Sequence, residues 1–212
     1  MASIVTHPAV PLALAVACGR RYVSGRLLLA GVSASILPDA DAFGLDLGIP
    51  YGHLLGHRGL SHSILFALLL AVCAASLHRA LRSSRNAAFA VIFISCASHG
   101  LLDALTNGGL GVAFFSPFSN HRYFLPCHPI AVSPLDADLF FSEWGRRVLR
   151  SEALWVWLPC ALVGGLGLLI RWEPKAGHAL KRTADSASTS DMPGVSNAGL
   201  GASARCRRRS VN

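Results

Sequence analysis

Charge is scarce in this chain. Only 14% of its 212 residues are Asp, Glu, Lys or Arg, against roughly a quarter in soluble domains, while 52% are hydrophobic and the mean hydropathy is +0.47. An ordinary soluble domain is thereby disfavoured, and a membrane protein is the starting expectation. No Lys or Arg precedes Arg20 and no small-residue cleavage site follows a basic start, so a cleaved signal peptide is not expected. The six cysteines are scattered, four of them inside apolar runs and none in C-x-x-C spacing. They read as small core residues, which argues against a disulfide framework and against Cys-ligated zinc. A G-x-S-x-G element is also missing, and with it that kind of serine nucleophile.

What is present is a set of apolar runs. Ile64–Leu77 with its flanks, Ala87–Leu105 and Ala153–Ile170 approach the roughly 17–25 residues that span a bilayer. Pro8–Cys18 and Leu27–Leu37 are shorter and read as tilted or partly inserted helices. The expected fold is all-α: a polytopic membrane bundle, with a four-helix group carrying the site and a fifth transmembrane helix, over residues 1–172. Half of the net charge of +8 lies in residues 173–212, a Ser-, Ala- and Gly-rich stretch that reads as a disordered basic tail. This distribution favours contact with anionic membrane lipid over a nucleic-acid footprint. Arg20, Arg21 and Arg26 lie in one short connection and Arg79, Arg82 and Arg85 in another. Alternating helices bring both to one face, cytoplasmic by the positive-inside rule, together with the tail. Arg146, Arg147 and Arg150 are the exception.

The histidines and aspartates then fall on the opposite face. His7 precedes the first helix, Asp39 and Asp41 stand in LPDADAFG at the end of the second, His57 and His62 in HRGLSHS open the third, and His99 and Asp103 lie late in the fourth. A spacing of four stacks His99 and Asp103 on one helical face. Ser61 is the expected N-cap, with His62 beginning the helix. Four imidazoles and three carboxylates form a ligand set suited to zinc, or to manganese, iron or nickel. Seven ligands exceed one zinc site, so two or three ions and a metal-activated water acting on an ester or phosphoester are expected. Arg58, pairing with Asp39 or Asp41 or meeting substrate, and Arg122 in SNHRY, holding an anionic group such as phosphate, are the candidate catalytic cations. His121 is an eighth candidate ligand; His53, His78, His128 and His178 read as structural, and the second DAD, Asp136–Asp138, as a solvated turn. The fifth helix shows no ionisable group, which disfavours a carrier.

The ordered set of TH, PDAD, HRGLSHS and HGLLDALTNGG between hydrophobic segments resembles the bacterial membrane-bound metal-dependent hydrolase family typified by YdjM, of the LexA-regulated type, over residues 6 to 172. The resemblance implies a multi-pass inner-membrane protein with metal positions at His7, Asp39, Asp41, His57, His62, His99 and Asp103, the site facing outward. It also implies hydrolysis of a small-molecule or lipid-like substrate. The rival expectation is a non-catalytic integral membrane protein with a structural metal site or a transporter-like role.

Overall fold

The computed structural model describes residues 1–134 and 137–172, apart from the side chains of Ala137 and Asp138. The basic tail, with His178, and Asp136 of the second DAD lie outside the described residues. The order is α1 (Ala9–Cys18), α2 (Gly25–Ile36), a 3-10 turn (Leu37–Ala42), α3 (Phe43–Asp46), a second 3-10 turn (Leu60–His62), α4 (Ile64–Ser76), α5 (Arg85–Ala104), α6 (Ala137–Phe140), α7 (Glu143–Glu152), a π-helical turn (Ala153–Trp157) and α8 (Leu158–Arg171). Among the described residues no strand forms; Thr106 with Ile130 and Val112 with Tyr123 make isolated bridges in the long loop after α5.

Serines set the helix starts. The hydroxyls of Ser24, Ser63, Ser84 and Ser142 accept from the backbone amides of Leu27, Phe66, Ala87 and Trp144, satisfying donors that a first turn leaves free. The cap of α4 is therefore Ser63 and not Ser61. His62 does not begin the helix but ends the 3-10 turn before it.

Among the described residues, three helical runs are long and apolar enough to cross a membrane: Gly25–Asp46, Arg85–Ala104 and Glu143–Arg171. This differs from the hydropathy reading in two ways. Ile64–Leu77 yields only the 13 residues of α4, about 20 Å at 1.5 Å per residue, because the extended backbone of Ser63 separates it from the short 3-10 turn before it and arginine-bearing turns follow Ser76. The second run is longer than its apolar core, since the PDAD turn continues helically into α3. The fifth helix likewise starts at Glu143, so Arg146, Arg147 and Arg150 belong to it.

Packing relies on small residues, as expected where helices must approach closely within lipid. Ala67, Ala71 and Ala74 of α4 and Ala88, Val91, Ile92 and Cys96 of α5 bury with Leu27 and Ala34 of α2. A Cβ on Gly31 would meet Ser95 Oγ at 3.2 Å, and one on Gly167 would meet Ala17 Cα at 2.5 Å, so glycine permits both the α2–α5 and α1–α8 crossings. Large side chains such as Leu162, Leu166 and Ile170 cover the exposed face of α8.

Hydrogen bonds show which ends meet. Ser24 and Arg26 donate to the carbonyls of Leu81 and Ala80, and Arg171 Nε donates to Ala17 O at 2.8 Å. The ends of α1, α4 and α8 that carry arginines therefore gather at one end of the bundle, and every candidate metal residue lies at the other.

Candidate metal centre

Four segments converge at that other end. The 3-10 turn holding Pro38 presents Asp39, which is buried and, among the described residues, has no hydrogen-bond partner on either carboxylate oxygen. On α5, His99 donates from Nδ1 to Ser35 O at 2.7 Å. This fixes the tautomer and turns the Nε2 lone pair inward. His99 Nε2 lies 3.3 Å from Asp39 Oδ1 and 3.0 Å from His62 Nε2. One turn further, Asp103 Oδ2 lies 3.6 Å from His62 Nε2. Asp39, His62, His99 and Asp103 each offer a ligand atom within 4.8 Å of the others, and all four residues are buried. Two imidazole nitrogens on a tetrahedral zinc stand about 3.3 Å apart, given Zn–N bonds of about 2.0–2.1 Å. The unpartnered Asp39 oxygens, an N···N approach of that size and the N/O donor chemistry together fit a divalent ion.

His7 completes the floor. Its ring stacks on His99 with centroids 3.7 Å apart, and Nε2 lies 3.8 Å from Asp39 Oδ2 and 3.9 Å from Asp103 Oδ1. Among the described residues neither nitrogen has a hydrogen-bond partner. Burial, reinforced by the neighbouring His99, pushes its pKa down to about 3, leaving a neutral imidazole with a lone pair to give.

Asp41 sits behind this group. Its Oδ1 accepts from His57 Nδ1 at 2.7 Å and its Oδ2 faces His62 Nδ1 at 3.1 Å, with the Ser61 hydroxyl and the Arg58 amide also donating to Oδ2. Asp41, His57 and His62 make a second group of possible ligands sharing His62 with the first. Without an ion, both carboxylate oxygens hold histidine Nδ1 atoms and direct the opposite ring nitrogens away from Asp41, the arrangement by which carboxylates orient metal-ligating histidines. Burial opposes charge on His62, but its hydrogen bonds to Asp103 and Asp41 prevail and raise its pKa to about 9.

The loop geometry explains HRG and TNGG. Arg58 adopts φ +62°, a left-handed backbone uncommon outside glycine, and its fully buried guanidinium points inward. The ion pair is with Asp103, Nε to Oδ2 at 3.0 Å, in place of the expected Asp39 or Asp41. Its Nη1 donates to Gly108 O at 2.9 Å and its Nη2 to Thr106 Oγ1 at 3.1 Å. Gly109, at φ +90°, leaves room: a Cβ there would meet Arg58 Nη1 and the Tyr51 hydroxyl at 2.8 Å. Arg122 is engaged differently from the expected anion clamp. Nη1 donates to His57 O and Nη2 to Tyr51 O, each at 2.9 Å, so it ties down the loop that carries the histidines. His121 is exposed and lies edge-on to Tyr123, outside both ligand groups.

Sequence reasoning passed over Glu152. The fifth helix contributes an ionisable group after all: Glu152 is fully buried and accepts from the Ser3 amide, from Ser3 Oγ at 2.6 Å and from Thr6 Oγ1 at 2.9 Å. Asp103 Oδ1 accepts from the Ala2 amide at 2.8 Å. Residues 2–6 are thus pinned between α5 and α7, which places His7. Hydropathy starts the fifth helix at Ala153, one residue beyond Glu152, so the acid looked like a boundary. The π-helical turn that follows it, a feature frequent at functional sites, leaves no trace in composition.

The fold and this cluster define a polytopic helical membrane protein with a buried His/Asp group that can hold a metal ion. The sequence profile described as YdjM inner membrane protein matches residues 1–174, and the chain belongs to that family. It is similar to the inner membrane protein YbcI of Escherichia coli strain K12, 37% identical over 167 residues, covering 78% of this chain and 96% of the relative. No solved structure matches.

Proposed function

We propose that the protein is a membrane-bound metal-dependent hydrolase acting on an ester or phosphoester of a lipid-like substrate. The observation that carries this reading is the buried quartet of Asp39, His62, His99 and Asp103, with His7 against the same carboxylates. Intramembrane ionisable groups are costly and by default functional, and among the described residues neither Asp39 carboxylate oxygen has a hydrogen-bond partner. The chemistry a divalent ion supplies in such a set is water activation and polarisation of the substrate oxygen. Zinc, two or three ions with Asp41 and His57 serving the second position, is the first choice; manganese and iron suit the same donors.

The chain's own residues have separable roles. Asp41 and the Ser35 carbonyl set the histidine rotamers, and Arg58 balances the Asp103 charge while closing the site against the TNGG loop. Arg122 holds the loop over the site. The site faces the outer side of the membrane with the arginine-rich end and tail cytoplasmic, as the positive-inside rule directs; membrane lipid is the expected neighbour and nucleic acid is not.

The test is elemental analysis of detergent-purified parent, His99→Ala and Asp103→Asn proteins, followed by phosphoesterase and esterase screens with and without chelator. Metal in the parent, its loss in both variants and chelator-sensitive hydrolysis are expected. Equal metal in all three would discard the reading.

A further inference from the structure

A cavity of about 690 Å³ opens beside the metal centre. Ile4, Ile36, Leu37, Phe43 and Leu45 make its apolar wall, and two carboxylates, Asp39 of the quartet and Asp46, also border it. Asp39 is 7% exposed and borders both this groove and the ligand quartet; its two carboxylate oxygens are buried and, among the described residues, have no hydrogen-bond partner. At the rim, Ile4, Leu37 and Phe43 are 52%, 45% and 72% exposed, and Leu47 on the adjoining turn is 81% exposed. A cluster of bare apolar side chains marks an interaction surface, and because the groove belongs to a run long enough to span a bilayer, hydrocarbon is the partner at hand.

We infer that this groove seats one aliphatic chain of a bilayer lipid, with the bond to be hydrolysed delivered at its Asp39 end. A water-soluble ester does not explain an apolar trough open at a bare hydrophobic rim; an amphiphile explains both ends, hydrocarbon in the trough and a polar linkage at the carboxylate. The cavity of about 360 Å³ on the other side of His62 is lined by Phe93, Ile94, Leu101 and Phe114; it reaches His62 but no unpartnered carboxylate, so it lacks the polar end that the substrate linkage needs. This inference rests on the hydrolytic reading of the same centre.

The test reconstitutes the full chain in nanodiscs of phosphatidylethanolamine and phosphatidylglycerol doped with a phosphatidylcholine carrying a diazirine at one acyl terminus. After illumination, adducts are mapped by mass spectrometry. Adducts should be denser over Ile36–Leu45 and Ile4 than over Leu162–Ile170 of α8, which provides the general lipid-facing reference. Ser33→Trp and Ala40→Trp, both at exposed groove positions, should each abolish the groove adducts and leave those on α8. Groove labelling no denser than on α8, or unchanged in both tryptophan variants, overturns the inference. Metal content of the same preparations reports separately on the hydrolytic reading, so the two fail independently.

Discussion

Replacing Glu152 by Ala tests whether the N-terminal segment is a structural part of the centre. The carboxylate accepts three hydrogen bonds, from the Ser3 amide, Ser3 Oγ and Thr6 Oγ1, in a site closed to solvent. Hydrogen bonds to a charged group are worth roughly 1.5–3 kcal/mol each. They are not additive here, because releasing one strand of chain rehydrates all three donors together. A local opening cost lowered by about 3 kcal/mol is the reasonable sum, which is about a hundredfold in an opening equilibrium. The loss is local, since α7 and α8 keep their own backbone ladder and the α1–α8 contact at Gly164 and Gly167 does not involve Glu152. Hydrogen exchange followed by mass spectrometry on detergent-solubilised protein reads this directly. The amides of residues 3–6 should exchange about two orders of magnitude faster in Glu152→Ala, with α4 and α5 unchanged and metal content reduced because His7 is no longer placed. Glu152→Gln, which keeps one carbonyl oxygen, should fall between. Unaltered exchange at Ser3 and Thr6 would refute the pinning role.

Asp41→Asn should abolish binding of the second ion and, through the histidines that Asp41 orients, weaken the first by about 10–100-fold. Asp39→Asn should remove the first ion altogether; competitive titration with a chromophoric chelator separates the two. Gly109→Ala forces a side chain at φ +90° onto Arg58 and Tyr51, and a cost of about 1–3 kcal/mol is expected, seen as a lowered midpoint in thermal unfolding. In metal-free protein His62 holds its proton up to about pH 9. The stabilisation from that proton is complete below the ordinary histidine pKa of about 6.5 and lost as pH rises to about 9. Since an ion must displace the same proton, apparent metal affinity should rise about tenfold per pH unit up to that point. Zinc titrations between pH 6 and 9 that show a flat affinity would contradict this assignment.

That Asp39, His62, His99 and Asp103 come together was legible because the signals are chemical and local: the four-residue spacing of His99 and Asp103 and the imidazoles at the edge of apolar runs. Span lengths were less legible. Hydropathy sees the apolar core of a helix but not the 3-10 turn that carries α2 through Asp39 and Asp41, nor the amphipathic α7, whose arginines hide its continuity with α8. Partner choice was least legible. Arg58 reaches Asp103 because the left-handed residue and the TNGG backbone turn its guanidinium that way, and a one-dimensional pattern holds no information on that rotation. The contacts of Arg122 and of Glu152 were hidden for the same reason, since they are made to carbonyls, amides and hydroxyls of distant segments.

On the proposed hydrolytic reading, charge balance would link the number of ions to the kind of substrate. Asp39, Asp41 and Asp103 bring three negative charges to the buried end of the bundle, and Arg58, bonded to Asp103, returns one positive charge. Glu152 is set apart by its neutral hydrogen-bond donors. One divalent ion therefore brings the centre close to neutrality, which stabilises the buried carboxylates and leaves little net attraction for an anion. A second ion at Asp41, His57 and His62 would leave an excess of positive charge in a low-dielectric setting, where it favours a phosphoester over a carboxylic ester. Neither arginine relieves that requirement, because Arg58 is committed to Asp103 and Arg122 to backbone carbonyls. An occupancy near one ion per chain thus argues for a neutral ester linkage, and an occupancy of two or more for a phosphoester. The metal-to-protein ratio is in this sense a measurement of substrate class made before any substrate is known.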